Sequence, residues 1–554
     1  MRLRPYQSDC VERIFAELSA NESTLAVLPT GCGKTVIFSE FCRRWTERRV
    51  LVVAHREELI IQAADKIQAA IGDRPEIEMG EYWASRETVL SKPHVVVTSV
   101  QTMSRGGRQK GFDPSEFGAI VIDEAHHATA KSYRNVLEYF SGAKVLGVTA
   151  TPDRSDEEAL GQIFKSVAYE YGVLDAINDG WLVPIRQEMV EVEGLDLSTV
   201  KTTAGDLNTG QLEQIMMEEE SLHKVASPTI ELAGTDPTLI FTAGVSHAHA
   251  LADILRRHGK TAEALDGSSE LDHRREIIRQ YKNGDVQFLC NCGLFLEGFD
   301  APATKNVVMA RPTKSRSLYA QMLGRGTRTL PGVVDGIETP SERRLLIEES
   351  DKPFMSVLDF VGNSGRHKLI SAADILGGNY SDEVIEKAKE QAKTRGKASR
   401  DVVEDLADAE ELLEEERRRE RLKFIARAKF HRKKIDPFDL LDCSPPREPG
   451  WHKGRPMTEG QQAYLEKLGF DKTDLLDVGF CKASRLIDKA NERRAQGLCT
   501  FRQAKLLARF GERTDMPFAE AKAVIDQIAA NGWKPREHRE TVVDRAEPWA
   551  LSTS

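Results

Sequence analysis

The sequence lacks any apolar run approaching the ~18 residues that a membrane-spanning helix needs. Its first residues, MRLRPYQSDC, lack the apolar core of a secretory signal. The eight cysteines form no C-x-x-C pair, which disfavours a zinc site, and they form no disulfide-like framework. We therefore expect a cytoplasmic protein with free thiols and with neither a membrane nor zinc as a partner.

The charge balance of the chain excludes few classes of function. Charged residues make up 30% of the 554 residues, and the formal net charge is −10. An acidic total argues against a surface that binds nucleic acid everywhere. It is compatible with a local basic channel, because phosphate binding depends on where the charges lie. The length allows roughly two to four domains.

Short apolar runs alternate with helical patterns as far as residue 370, as is typical of parallel sheets with crossover helices. A polar stretch separates two series of such runs, so the pattern predicts two α/β domains, 1–180 and 181–375, joined within 170–190. The predicted strands are STLAVL, RVLVVA, HVVVTS, AIVID and KVLGVT in the first domain, and PTLIFTA, TAEAL, VQFLCN, KNVVMA and FMSVLDF in the second.

After residue 375 the sequence predicts a mainly α-helical region. An acidic helical pattern at 401–416 continues into a basic pattern at 417–434, and 442–451 has the composition of a linker. Thr458 and Gln461 recur 42 residues later as Thr500 and Gln503. We interpret 376–440 as a charged helical segment and 450–535 as a small module of two repeated helix pairs.

A glycine-rich turn separates an apolar run from a helical pattern in VLPTGCGKTVIFSE, residues 27–40. Gly31 and Gly33 allow positive φ, so consecutive N–H groups can converge on phosphate oxygens where the next helix begins. Lys34 can reach the outer phosphates, and Thr35 can offer its hydroxyl to Mg²⁺. The pattern G-x-x-x-x-G-K-[ST] is incomplete because Leu28 stands where it has glycine, and a turn without a nucleotide is the alternative.

Asp123 and Glu124 follow the apolar run AIVID, at the strand end where ligands bind in open parallel sheets. Asp123 is the candidate Mg²⁺ ligand, and Glu124 can polarise an attacking water. Considered alone, the two acids could equally cap a helix. Because the glycine-rich turn and the acids occur together in this order, the sequence predicts a nucleotide triphosphatase.

Four motifs in order resemble motifs I, II, III and VI of the superfamily 2 helicases and translocases. They are PTGCGKT, DEAH (123–126), TAT (149–151) and QMLGRGTR (321–328), and RPYQ (4–7) resembles the adenine-reading glutamine motif. GFDAP (298–302) and LDFVGN (358–363) resemble bacterial RadD-type helicases and restriction-enzyme motor subunits, but the cysteine-rich zinc segment of RadD-type proteins is missing. The resemblance covers residues 1–370 and implies two RecA-like domains in tandem, with ATP between them.

The resemblance also implies the role of each site residue. Glu124 would be the catalytic base, and Arg325 and Arg328 would be arginine fingers that face the γ-phosphate together with Gln321. Asp123 and Thr35 would bind Mg²⁺, while His126, Thr149 and Thr151 would couple hydrolysis to nucleic-acid binding. The residues expected to contact ATP are Gln7, Thr30, Gly31, Cys32, Gly33, Lys34, Thr35 and Asp300, with Lys34 also acting in catalysis. Without the other motifs, surface charges beside a glycine turn would be an equal interpretation of the two arginines.

Proteins of this superfamily bind the sugar–phosphate backbone across both domains, and the matching segments here are AHRE, TSVQTM and FTAGVSHAHA. The resemblance therefore implies contacts from His55, Arg56, Thr98, Gln101 and Thr242. Alternatively, the two threonines end buried strands and His55 caps a helix. The motif around GFDAP departs from the family because Leu296 stands where threonine is frequent.

Two C-terminal features are further candidates for binding. The basic pattern 417–434 carries interleaved Phe424 and Phe430, which suits nucleic acid, but a solvated helix paired with the preceding acidic run is an equal alternative. The repeated helix pairs could bind nucleic acid or dock a protein partner.

Together these features predict an ATP-dependent helicase or translocase that moves on DNA, with a role in DNA repair or in phage- or restriction-related processing. An RNA helicase and a pure duplex translocase are alternatives within the class. A nucleic-acid clamp gated by ATP, with little turnover, is an alternative from another class. The presence of Glu124, Arg325 and Arg328 disfavours the clamp.

Overall fold

The computed structural model divides the chain into two compact units. The large unit comprises 1–411 and 449–453, and the small unit comprises 412–448 and 454–554. The structure describes residues 3–55, 57–79, 92–104, 108–150, 154–203, 205–296, 298–363, 370–377, 380–395, 400–427, 437–441, 443–446, 452, 454–472, 474–476 and 478–533. Two sheets with their helices make up the large unit, and the small unit is helical.

The first sheet of the large unit has seven parallel strands in the order β3-β4-β2-β5-β6-β1-β7. The central strands are apolar and buried on both faces, as the apolar runs predicted. Val52 of the third strand in this order pairs with Val97 on one side and Val121 on the other. The strands are β1 (Ser23–Val27), β2 (Arg49–Ala54), β3 (Glu76–Glu78), β4 (Val95–Ser99), β5 (Phe117–Asp123), β6 (Lys144–Thr149) and β7 (Ser166–Glu170).

Helices cover this sheet, and a buried apolar cluster that includes Phe117, Phe140 and Phe164 fills the space between them. A 3₁₀ turn, Ala125–Thr129, follows β5 directly. The helices are α1 (Pro5–Ala20), α2 (Lys34–Arg44), α3 (Glu57–Ile71), α4 (Val100–Ser104), α5 (Lys131–Tyr139), α6 (Arg154–Ile163) and α7 (Val173–Asn178).

The second sheet is also predominantly parallel. Its strand order is β12-β13-β11-β14-β15-β8-β16, and only the β16–β8 pairing is antiparallel among the described residues. The strands are β8 (Ile185–Asp196), β11 (Thr238–Thr242), β12 (Ala262–Leu265), β13 (Phe288–Asn291), β14 (Asn306–Ala310), β15 (Met355–Asn363) and β16 (Arg400–Asp401), while β9 (Thr202–Thr203) and β10 (Asp206–Leu207) form a separate ribbon. The predicted tandem of parallel-sheet α/β domains is confirmed.

Helices pack on the second sheet around a core that includes Leu251, Phe288 and Phe360. Because β16 pairs with β8, residues 400–401 of the predicted charged segment 376–440 belong to this sheet. This core includes residues of α8 (Thr209–Met216), α9 (Glu219–Ala233) and α10 (Val245–Arg257). The chain also forms α11 (Leu271–Asn283), α12 (Arg316–Leu323), α13 (Pro340–Glu348), α14 (Ala372–Leu376), α15 (Asp382–Arg395) and α16 (Val402–Arg427), the last of which contains residues of both units.

The small unit contains two helix pairs of the same construction. Thr458 and Thr500 each cap a helix by accepting the N–H of a glutamine three residues later, and that glutamine side chain accepts the threonine N–H in return. Gly469 and Gly511 follow these helices with positive φ. One apolar core joins α17 (Pro437–Leu441), α18 (Glu459–Leu468), α19 (Phe480–Ala495), α20 (Phe501–Arg509) and α21 (Phe518–Ala530). The predicted helical C-terminal region is therefore confirmed.

Three further observations concern the described residues alone. No helix among them is both long enough and apolar enough to cross a bilayer. No group of three or more His, Cys, Asp or Glu side chains in these ranges could hold a metal ion. All eight cysteines are free thiols.

Candidate ATPase site

The glycine-rich loop between β1 and α2 is held by the start of α1. The Tyr6 hydroxyl and the Gln7 amide both donate to the Cys32 carbonyl, at 2.8 and 3.2 Å. Gly31 and Gly33 have φ of 93° and 74°, and a Cβ at position 33 would lie 2.6 Å from Gln7 Nε2. Position 33 therefore favours glycine for two reasons: its backbone is left-handed, and α1 approaches it too closely for a side chain.

The Cys32 side chain has a packing role in this loop. It is fully buried, and this burial raises the pKa of its thiol to about 12. The neutral thiol is not a nucleophile at physiological pH. Cys32 thus contributes its backbone to the loop, between the glycines that shape it.

Lys34 at the start of α2 meets the acids that follow β5. Its Nζ lies 3.0 Å from Glu124 Oε1, an ion-pair distance without hydrogen-bond geometry. Glu124 itself has the uncommon φ of 49° and donates its N–H to Asp123 Oδ1 at 3.0 Å. The carboxyl end of β5 therefore places Asp123 and Glu124 at the mouth of the loop.

These residues fit a nucleotide with a bound magnesium ion. The buried Lys34 ammonium has no hydrogen-bond acceptor among the described residues, so an incoming phosphate oxygen could supply one. Glycines without Cβ atoms leave the N–H groups of the loop accessible to phosphates. The hydroxyl of half-buried Thr35 and the carboxylate of Asp123 are the hard oxygen donors that Mg²⁺ prefers.

His126 connects the acids to the next strand. Its Nδ1 lies 3.1 Å from Thr149 Oγ1 at the end of β6 and 3.5 Å from Glu124 Oε2. This placement brings two of the three predicted coupling residues together beside the candidate base. The third, Thr151, lies outside the described residues.

The loop after α12 in the second domain packs directly on the glycine-rich loop of the first. A Cβ on Gly324 would lie 2.4 Å from the Cβ of Thr30, and a Cβ on Gly31 would lie 3.2 Å from Arg328 Cγ. The Arg328 guanidinium is paired with the Asp300 carboxylate. The structure thus brings Arg328, Asp300 and the glycine-rich loop together across two sheets.

Arg325 is placed differently from Arg328. It is buried, and it donates to the carbonyls of Phe299 and Leu296 at 2.9 and 2.5 Å. In this conformation the Arg325 guanidinium holds the loop that carries Asp300. Gln321 is buried on α12, one turn before Arg325.

Lys352 is a site-supporting residue that the sequence patterns do not indicate. Its side chain is fully buried, and Nζ donates to the carbonyls of Pro302 and Arg328 at 2.7 and 2.8 Å. Burial lowers the pKa of this lysine to about 7. Lys352 thereby ties together the two loops that carry Asp300 and Arg328, yet its polar sequence context, EESDKPF, predicts exposure.

Aromatic and cationic side chains surround the predicted adenine-reading end of α1. The guanidinium carbons of Arg4 and Arg343 lie 4.5 and 3.9 Å from the centre of the Trp181 ring, and the Tyr6 and Tyr171 rings stack at 4.9 Å. Arg343 belongs to α13, so this cluster joins the adenine end to the second domain. Sequence reasoning missed Trp181 and Arg343 because they are far from any motif.

Two of the predicted nucleic-acid contacts lie together at the carboxyl edge of the first sheet. Gln101 Nε2 lies 3.2 Å from Nδ1 of His55, and both residues are partly exposed. Their position at the ends of strands is compatible with phosphate binding. Arg56 lies outside the described residues.

The structure corrects the predicted nucleic-acid contacts of Thr98 and Thr242. Both are buried, Thr98 donating its hydroxyl to the Glu78 carbonyl at 2.8 Å and Thr242 to the Gly244 carbonyl at 3.0 Å. Neither side chain can present a hydroxyl to a ligand, because Thr98 lies inside the buried strand β4 and Thr242 ends the buried strand β11.

The segment FTAGVSHAHA meets a carboxylate from elsewhere in its own domain. Glu213 of α8 accepts the N–H groups of Ser246 and His247 at 3.0 and 3.4 Å, at the start of α10. These are backbone donors of the kind that bind phosphates at helix N-termini. An internal acid therefore occupies the place that the sequence suggested for a nucleic-acid phosphate.

Comparison with known proteins supports the same interpretation. Residues 1–154 match the family described as type III restriction enzyme, res subunit, and residues 220–329 match the helicase conserved C-terminal domain. The predicted kinship with superfamily 2 helicases and restriction-enzyme motor subunits is confirmed.

Among curated proteins, the chain is similar to the ATP-dependent helicase IRC3 of Saccharomyces cerevisiae, at 32% identity over 68% of this chain and 53% of that protein. It is similar to the type I restriction enzyme EcoAI endonuclease subunit of Escherichia coli, at 26% identity over 59% and 44% of the two chains. It is also similar to Rad25 of Halobacterium salinarum, named as a DNA 3'-5' helicase, at 28% identity over 59% and 52%. The chain thus spans about half the length of the curated relatives it matches.

Proposed function

We propose that this chain, which carries the two motor domains of the superfamily 2 helicases and translocases, hydrolyses ATP to move along DNA. One observation carries the proposal: Arg328 of the second domain lies against Gly31 of the phosphate loop of the first. Phosphoryl transfer needs positive charge at the reacting phosphate, and an arginine finger contributes about 10³–10⁵ in rate. When that arginine comes from the other domain, the γ-phosphate links nucleotide state to domain contact.

The residues of the glycine-rich loop and of β5 have different roles in ATP binding and hydrolysis. Lys34 exchanges Glu124 for a phosphate oxygen, and Glu124 then becomes available to accept a proton from the attacking water. Gln7 and Arg4 would recognise the adenine beside Trp181. Mg²⁺, held by Asp123 and Thr35, would neutralise charge on the outer phosphates.

DNA is the substrate that we favour over RNA. The relative named as a DNA 3'-5' helicase and the relative named as a restriction endonuclease subunit support this choice. His55 and Gln101 would contact the sugar–phosphate backbone, and the small unit would add nucleic-acid affinity or dock a protein partner. We place the activity in the cytoplasm, in DNA repair or restriction-related processing.

The test is steady-state ATP turnover by the full chain. Turnover is measured alone, with single-stranded DNA, with duplex DNA, and with RNA of the same sequence. We expect strong stimulation by DNA and its loss in Lys34→Ala, whose phosphate-binding charge is missing. Stronger stimulation by RNA would favour an RNA helicase, and tight ATP binding with negligible turnover would favour a clamp. Near-parental turnover of Lys34→Ala would refute the phosphate-loop assignment.

A further inference from the structure

We infer that His127 is a positioning residue through which nucleic acid at the edge of the first sheet controls the catalytic acid. This inference rests on the proposed function, because it concerns how DNA accelerates ATP hydrolysis. His127 stands in the 3₁₀ turn after β5, next to His126. Its contacts join the two groups of residues to which the proposed function assigns ATP hydrolysis and DNA binding.

Three imidazole rings form a continuous series between the two groups. The ring of His127 lies 4.7 Å from that of His55, stacked at 28°, and 4.1 Å from that of His126, tilted at 45°. At one end of the series, Gln101 Nε2 lies 3.2 Å from His55 Nδ1. At the other end, His126 Nδ1 lies 3.5 Å from Glu124 Oε2.

The physical basis is the close packing of the three rings. An imidazole has few rotatable bonds and packs against a neighbour at a limited set of angles, so the His127 ring restricts the orientations open to His55 and His126. Nucleic acid bound by His55 and Gln101 would restrict the His55 ring, and the stack would restrict His126. His126 also contacts Thr149, so its orientation decides how Glu124 is held beside the phosphate loop.

A purely structural role for the stack makes a different prediction. A ring that only fills space would stabilise the fold, and its loss would lower turnover equally with and without DNA. A coupling element must favour one arrangement of the site when ligand is bound, so its loss must change the response to DNA. The ratio of DNA-stimulated to basal turnover separates the two roles.

The experiment compares His127→Ala and His127→Phe with the parent in the full chain. His273→Phe is the matched control, because His273 is an exposed histidine of α11 in the second domain. We measure turnover with and without a saturating single-stranded DNA oligonucleotide, the KM for ATP, and the thermal midpoint.

We expect His127→Ala to lower the ratio of stimulated to basal turnover by about 3- to 10-fold, with the loss in kcat and not in KM. His127→Phe should retain most of the ratio because the ring stack persists, and His273→Phe should match the parent. A parental ratio in His127→Ala overturns the inference and leaves the proposed function intact. An equal fall of basal and stimulated turnover, with no rescue by phenylalanine, also overturns it. A parent that no nucleic acid stimulates instead refutes the proposed function itself.

Discussion

Replacing Lys352 by methionine tests how the second domain holds its arginine loop. The lysine side chain is fully buried, and its ammonium donates to the carbonyls of Pro302 and Arg328. Methionine has a similar length and apolar stem but no donor, so it leaves both carbonyls without this partner. The substitution also removes a titratable group from the interior, which gives the variant a distinct pH dependence.

The sign and size of that pH dependence follow from the lysine's environment. Burial, with the positive charges of Arg328 and Lys305, lowers the pKa of Lys352 from 10.5 to about 7. Between pH 7 and 10.5 the unfolded chain therefore binds a proton that the folded chain does not, and the free energy of unfolding rises with pH. The slope is at most about 1.4 kcal/mol per pH unit, so the gain from pH 7.5 to 9.5 is about 2–3 kcal/mol.

The assay is the unfolding midpoint of parent and Lys352→Met over that pH range. Other titrating groups are common to both proteins, so the difference between the two midpoints isolates the lysine. We expect the variant to fall further below the parent as the pH rises. The control is Lys144→Met, because Lys144 is a partly exposed lysine at the start of β6 in the first sheet that donates to the Asn21 carbonyl at 2.9 Å. A difference that stays constant with pH, or shrinks as pH rises, would refute the reasoning.

Three other substitutions test the site. Glu124→Gln should bind ATP and hold nucleic acid while turnover is lost, and parental turnover in the ATPase assay would show that Glu124 is not the base. Gly324→Val should abolish stimulated turnover with little change in helix content by circular dichroism, because its side chain would overlap Thr30; normal turnover would mean that this contact is dispensable. Glu213→Ala should tighten DNA binding and steepen its salt dependence in fluorescence anisotropy, because the Ser246 N–H becomes available to a phosphate; weaker binding would indicate that Glu213 only supports the fold.

The strands that sequence could predict are those buried on both faces. A strand such as β5 is apolar along its whole length, so its sequence alone indicates its environment. The edge strands β3 and β7 are short and carry Glu76, Glu78 and Glu170, so no apolar run in the sequence indicates them. The long strand β8 was not predicted, because polar residues interrupt its sequence, IRQEMVEVEGLD, at short intervals.

The residues of the candidate site also fall into those that the sequence could predict and those that it could not. A motif indicates residues whose role depends on the few residues next to them in the sequence. Lys34, Glu124 and Arg328 lie in such motifs, so they could be named from the sequence. Residues that act by reaching another segment carry no local signal. Lys352 and Glu213 stand in ordinary polar stretches, and only the fold brings the first to Arg328 and the second to α10.

Each of the two cations that we assign to phosphate binding and catalysis is held in an ion pair. Glu124 is paired with Lys34, and Asp300 is paired with Arg328, so an acid engages each cation that the reaction needs. Under the proposed function, the triphosphate would bring negative charge that can replace both acids. Lys34, whose ion pair is buried, would then change partners without passing through an unpaired state, which would be costly. Under the proposed function, the same exchange would release Glu124 as a base and turn Arg328 from its own domain towards the nucleotide. ATP binding and catalytic readiness would therefore be one electrostatic event, with a separate contribution from each domain.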